Sequence, residues 1–152
     1  MVRSGGYHPP TTLKLLQKNG EKMDFERFIN DFNKGDNFGV KNKIRLVSLF
    51  RGSSHVEMDA DESDFNYMGS LHGGAIFLIS DIAAGTAVAS YGENCVTLSS
   101  SINFVRPAKA GRIYAKATVE KKGKTVSVCN VHVYNEDGKI ISMSTFTMFK
   151  NE

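Results

Sequence analysis

The chain has 152 residues, 41% hydrophobic and 23% charged, with a formal net charge of +3. That length can bury one core without disulfide or metal staples, and a mild positive charge with no dense basic helix argues against nucleic acid as the partner. No apolar run reaches the roughly 18 residues of a membrane span, and the first twelve residues lack the apolar centre of a secretory signal. Cys95 and Cys129 have no metal-type spacing, and His8, His55, His72 and His132 are scattered. The expectation is a cytoplasmic protein with two free thiols and no metal.

Residues 1–12, with Gly5-Gly6 and Pro9-Pro10, read as a flexible arm. "TTLKLLQKNG" can form a short helix between a Thr11 or Thr12 cap and Gly20. In "MDFERFINDFNKGD" the apolar residues Phe25, Phe28, Ile29 and Phe32 recur at helical spacing, with Asp24 as cap and Gly35 as stop. Residues 1–37 are therefore taken as an N-terminal extension and residues 38–152 as the main domain.

From Lys41 the period changes to two. "KNKIRLVSLF" and "SHVEMDADES" read as strands, the second with Val56, Met58 and Ala60 alternating with Glu57, Asp59 and Asp61. A helix over "LHGGAIFLISDIAAGTAVASYG" follows, then strands in "CVTLSSSINFV", "GRIYAKATVEKK", "KTVSVCNVHVYN" and "KIISMSTFTMFK". Alternation puts Val96, Leu98, Ile102 and Phe104 on one face of the first of these, and Thr97 with Ser99, Ser101 and Asn103 on the other. Gly123 and "NEDG" supply hairpin turns. The fold class is α+β: an antiparallel six-stranded sheet wrapped around one long central helix. That helix is apolar almost all round because it is the core layer, and Ala83, Ala84, Gly85 and Ala87 let the sheet approach closely.

One acid, Asp81, interrupts this helix, and the segment before it gathers Asn66, Gly69, His72, Gly73 and Gly74. A helix N-terminus has unpaired N–H groups and a positive dipole end. Glycine there lets a carbonyl reach the backbone, which suits an oxyanion hole. The plainer alternatives are a simple Gly-Gly turn and a core carboxylate paired with a neighbouring polar group. Asp81 lies eight residues past Gly73, roughly 12 Å along the axis. No single acyl carbon can touch both in one chain. If both act on one substrate, they come from two copies paired through antiparallel helices, which implies a homo-oligomer with composite sites.

Asn66, "LHGGAIFLISD" and "SINFVRPAKAG" closely resemble the hotdog-fold acyl-CoA thioesterases of the PaaI-like branch, over about residues 40–150. The resemblance implies hydrolysis of acyl-CoA to free acid and CoA, and the hotdog fold. Asp81 would activate water or attack the thioester itself, the Gly73 amide would polarise the carbonyl, His72 would hold the thioester end, and Asn66 would orient the carbonyl or the water. Thr97 matches a Ser/Thr position that places the water. Because CoA carries phosphates, Gly74, Arg106, Lys122 and Lys124 are candidates for substrate contact, although the lysines also fit a solvated hairpin. CoA is part of the substrate, so no separate cofactor is expected. The assembly expected is a dimer or a pair of dimers, the latter a homotetramer. The competing readings are an acyl-CoA hydratase or dehydratase, and a non-catalytic acyl-CoA-binding module.

Overall fold

The computed structural model describes residues 23–151, so the expected arm and the helix over residues 11–20 lie outside the described residues. Helix α1, Phe25–Gly35, starts where expected: the Asp24 carboxylate accepts from the Arg27 N–H at 3.0 Å. Its apolar stripe docks on the core through buried Phe28, with Phe25, Ile29 and Phe32 half-buried beside it. Asp36 then caps a second short helix, α2, Asn37–Lys41, which the sequence pattern does not announce. The strands are β1, Ile44–Phe50, and β2, Ser53–Ala60; after helix α3, Gly73–Ala89, come β3, Cys95–Phe104, β4, Gly111–Lys122, β5, Val126–Asn135, and β6, Ile140–Lys150.

The six strands form one sheet in the order β1-β2-β4-β5-β6-β3, with every neighbouring pair antiparallel. Alternation works as expected in β2 and β4, where Val56, Met58, Ile113, Ala115 and Ala117 are buried towards α3. The small residues of α3 explain the close fit, since Ala83, Ala84 and Ala87 are fully buried. Buried hydroxyls hold the layers in register. Ser54 Oγ donates to the Ala83 carbonyl at 2.7 Å, and Ser90 Oγ accepts from the Gly52 N–H at 2.7 Å.

Strand β3 departs from simple alternation. Its register against β6 slips between Thr97 and Ser99, so Thr97 pairs with Met148 while Ser100 pairs with Phe146. Met148 and Phe146 are buried beneath α3. A β-bulge at Leu98 therefore turns Thr97 onto the helix side, together with Ile102 and Phe104. The expected grouping of Thr97 with Ser99, Ser101 and Asn103 is wrong, and so is the grouping of Val96 with Ile102 and Phe104. A one-residue insertion exchanges faces on either side of it.

The two edges of the sheet are treated differently. On β1 the Asn33 side chain of α1 acts as a backbone mimic: its Nδ2 donates to the Leu46 carbonyl at 2.9 Å and its Oδ1 accepts from the Leu46 N–H at 2.8 Å. That pair occupies edge groups that a foreign strand would use. On β3 no described residue covers the edge, and Val96 and Leu98 are 49% and 61% exposed.

Two outcomes follow from this packing. Asn33→Leu leaves the Leu46 amide and carbonyl without partners, a cost of about 1–3 kcal/mol; urea unfolding should show a lower midpoint, and light scattering should show association beyond the wild-type species. The second concerns acid. Lys43 bridges Asp61 at 2.8 Å and Asp64 at 2.6 Å. Hydrogen bonds from Lys43 and Ser63 hold the Asp61 carboxyl down at about 2, and Arg45 followed by Arg112 holds Asp59 below its usual range. Folded values below the unfolded ones mean a stabilisation present above about pH 4 that is lost as pH falls towards 2. Thermal melts between pH 5 and 2 should show this decline, and Lys43→Met should flatten part of it.

Candidate active site

The loop between β2 and α3 is built to present a helix N-terminus. After β2 a 3-10 turn, Glu62–Asp64, is closed by reciprocal capping between Asp61 and Asp64. The Asp64 carbonyl then accepts from the His72 N–H at 2.9 Å, and the Ala108 carbonyl accepts from Leu71 at 2.9 Å. Between these anchors Asn66 folds the loop on itself: its Oδ1 accepts from Met68 at 3.0 Å and from Ser70 at 3.2 Å. Gly69, at φ +75°, supplies the left-handed step that closes the loop, and Lys109 Nζ donates to its carbonyl at 2.6 Å. With Oδ1 committed to the backbone, Asn66 has its Nδ2 amide left for a ligand.

His72 caps α3. Its Nδ1 accepts from the Gly74 N–H at 2.8 Å, so the ring is the tautomer with its proton on Nε2. A side chain on Gly74 would bring a Cβ within 3.1 Å of that nitrogen, so the glycine keeps the cap in place. The cap uses the Gly74 donor and leaves the one before it. Among the described residues, the Gly73 N–H donates to no acceptor. This unpaired amide stands at the positive end of a 17-residue helix, the position the sequence singles out as a candidate carbonyl-polarising donor. Over it lies the Phe104 ring, 3.4 Å from where a Gly73 Cβ would stand. Sequence reasoning missed Phe104 as part of the site, because only the β3 bulge and the return from β6 bring it to α3.

Asp81 is half-buried in the single chain. It faces the β3 side of α3, where Thr97 Oγ1 donates to its Oδ1 at 2.5 Å. The same hydroxyl lies 3.6 Å from Met148 Sδ. An ionised carboxylate only accepts, so Thr97 fixes one oxygen and leaves Oδ2 for another donor. The structure thus brings Asp81 and Thr97 together, and separately gathers Asn66, His72, Gly73 and Gly74 around one helix end. Within one chain the two groups stay eight residues apart on a single helix, roughly 12 Å.

The remaining expected residues are elsewhere. Arg106 Nη1 donates to the Ile140 carbonyl at 2.9 Å, just past the end of β3. Lys122 is paired with Glu93 at 2.7 Å and lies 5.6 Å over the Tyr91 ring, near the far end of α3. Lys124 is exposed in the β4–β5 hairpin. Among the aromatic residues, Tyr67 is 99% exposed at the loop tip, while Phe77 lies on α3 one turn before Asp81. Among the described residues no group of three or more His, Cys, Asp or Glu side chains could hold a metal ion, and no helix is long and apolar enough to cross a membrane.

Residues 68–142 match the Thioesterase superfamily. Acyl-coenzyme A thioesterase PaaI of Escherichia coli is 31% identical over 101 residues, covering 66% of this chain and 72% of that protein. Human acyl-coenzyme A thioesterase 13 is 34% identical over 112 residues, covering 71% and 80%. The solved structure of E. coli PaaI superposes with a TM-score of 0.78 at 26% identity, covering 81% of this chain and 90% of that one. A Streptococcus mutans protein bound to acetyl CoA superposes with a TM-score of 0.68 at 33% identity, covering 71% and 88%. At 31% and 34% identity over most of the length of two acyl-coenzyme A thioesterases, and with the fold of the solved PaaI structure, the chain belongs to the thioesterase superfamily, in its PaaI-like hotdog branch.

Proposed function

We propose that the chain hydrolyses acyl-CoA thioesters at two composite sites of a two-fold dimer. Each site would pair the Gly73 amide, Asn66 and His72 of one subunit with Asp81 and Thr97 of the other. The observation that carries this reading is the separation within one chain: a free Gly73 donor and a Thr97-held Asp81 lie on one helix, too far apart to serve a single carbon. The open β3 edge supports the dimer. Two β3 strands paired edge to edge about a two-fold axis continue the sheet, cover Val96 and Leu98, and set the two α3 helices side by side and antiparallel. The plugged β1 edge supports the same choice of edge.

In this site the thioester carbonyl oxygen accepts from the Gly73 N–H, and the charge it gains in the tetrahedral state meets the helix dipole. The Asn66 amide and the His72 Nε2–H face the same end. Asp81 Oδ2 takes a proton from water as the water oxygen bonds to the acyl carbon. Collapse breaks the carbon–sulfur bond, and the CoA thiolate leaves and is protonated while the acid is released. Two solved forms of a Streptococcus pneumoniae hypothetical thioesterase replace an aspartate and, sixteen positions on, a threonine with alanine. Asp81 and Thr97 match both the residue types and the spacing. Another solved form of that thioesterase carries Coenzyme A, which supports the substrate class.

The free thiols of Cys95 and Cys129 fit a reducing compartment, so the working location proposed is the cytoplasm. A pair of dimers would cover the aromatic row on the outer sheet face, where the Tyr114 and Tyr134 rings stack at 5.4 Å.

Asp81→Asn should lower kcat by about 10²–10⁴ in an acyl-CoA assay that detects released thiol, whereas Thr97→Ser should retain most activity and Thr97→Ala lose part of it. Ligand binding with undiminished thiol release in Asp81→Asn would remove the carboxylate from the mechanism. A mixing experiment tests the composite site. Asn66→Asp keeps the Oδ1 acceptor that folds the loop while removing the Nδ2 donor. Refolding Asp81→Asn chains with Asn66→Asp chains should restore about one quarter of wild-type activity, because half the dimers are mixed and each holds one intact site. A site lying within one chain would show no recovery.

A further inference from the structure

Gly73, Phe77 and Asp81 recur every four residues and so share one face of α3. The Gly73 amide of one helix and Asp81 of its antiparallel partner can be level only if the axis passes midway between positions 73 and 81. That midpoint is position 77. Phe77 is 36% exposed in the single chain, and its ring rests 5.5 Å from the ring of fully buried Phe146. One side of the ring is therefore backed by the core. Exposed apolar side chains near this end of α3 include Phe104, 52% exposed and 3.4 Å from a Gly73 Cβ position, and Phe77, one turn along the helix. CoA is polar and leaves towards solvent, so the acyl group lies on these two rings.

We infer that Phe77 stands against its own copy on the two-fold axis and forms the inner wall shared by both acyl pockets, restricting the enzyme to short or flat acyl groups. This rests on the composite dimer proposed above. From Gly73 to Phe77 the helix advances roughly 6 Å, the depth of a short chain or an aromatic ring. A longer chain would run into the paired phenyl rings. A flat acyl group would instead lie edge or face against Phe104 and Phe77, an arrangement that aromatic pairs favour. Phe77 touches the substrate without taking part in bond making, so its effect falls on selection among acyl groups.

The test uses the full chain with acetyl-, hexanoyl-, benzoyl- and dodecanoyl-CoA. Wild type should favour the first three in kcat/KM. Phe77→Ala should raise the ratio of dodecanoyl to hexanoyl kcat/KM about tenfold or more, mainly through a lower KM for the long chain. Phe77→Leu, which keeps most of the apolar volume, should shift the ratio less and carries the test if the alanine chain does not fold. In a chain with Cys95→Ser and Cys129→Ala, Phe77→Cys should be joined to its own copy by a short bismaleimide, giving a dimer band under denaturing conditions. An unchanged chain-length ratio in the folded Phe77 variants, or no cross-link in a folded Phe77→Cys dimer, overturns the inference. If activity nonetheless recovers in the mixed Asp81→Asn and Asn66→Asp dimers, the composite site stands and only the role of Phe77 falls. If it does not recover, the composite reading falls first and this one with it.

Discussion

The constraint on which the rest depends is the rigidity of α3. A 17-residue helix keeps Gly73 and Asp81 at a fixed separation, and no movement of the surrounding loops can bring them together. Gly73 and Asp81 are thus fixed on one rod, just over two turns apart. Chemistry that needs both groups at one carbon requires a second rod running the other way. The position of one acid within a helix therefore bears directly on the assembly proposed above, and so do the edges of the sheet around it.

The two sheet edges are treated unequally. An edge strand is a template for any other strand, and among the described residues only one of the two edges is left available. At β1 a single side-chain amide, Asn33, satisfies both backbone groups of Leu46. At β3 the residues Val96 and Leu98 are left uncovered, although apolar exposure of this kind is a liability unless something covers it. The bulge at Leu98 links this edge to the chemistry. By turning Thr97 inward it gives Asp81 its hydrogen-bond donor, and by the same slip it sends Val96 outward. One inserted residue therefore serves the site and the edge together.

Much of this was legible in the sequence, for reasons that can be located. Asp24 announces its helix because a carboxylate before an apolar stripe is the local solution for unpaired first-turn amides. Val56, Met58 and Ala60 announce a strand because the pleat forces alternation. The small residues of α3 announce a helix tightly wrapped by a sheet, and Ala83, Ala84 and Ala87 are buried accordingly. What remained hidden depends on tertiary register. Nothing local in "CVTLSSSINFV" marks Leu98 as the extra residue; the slip is set by β6, forty-odd residues further on. The half-buried state of Asp81 was hidden because a helix apolar all round in sequence still has a face that its own sheet does not cover. Lys122 looked like a free cation beside a turn, but its partner Glu93 comes from the loop after α3. The Thioesterase superfamily match and the hotdog architecture agree with the motif around Gly73, whereas the proposed residue-by-residue roles are argued from the geometry.

The Gly73-Gly74 pair shows how two identical residues can be needed for different reasons. At Gly74 the missing side chain is replaced by the imidazole of its own cap, whose Nδ1 would be only 3.1 Å from a Cβ. Without that cap the Gly74 amide would compete with Gly73 for an incoming oxygen, and the positive end of the helix would be spread over two donors. At Gly73 a Cβ would stand in ordinary contact with Phe104, 3.4 Å away, so the apolar ring lies along one side of the remaining donor. A hydrogen bond to a developing oxyanion gains strength as water is removed from around it. Among the described residues the Gly74 cap thus leaves the Gly73 amide as the uncommitted first-turn donor, and a ring from β3, the strand that also supplies Thr97 to Asp81, lies beside it. The edge strand is accordingly a partner to both halves of the chemistry, and pairing it with its own copy would order both halves at once.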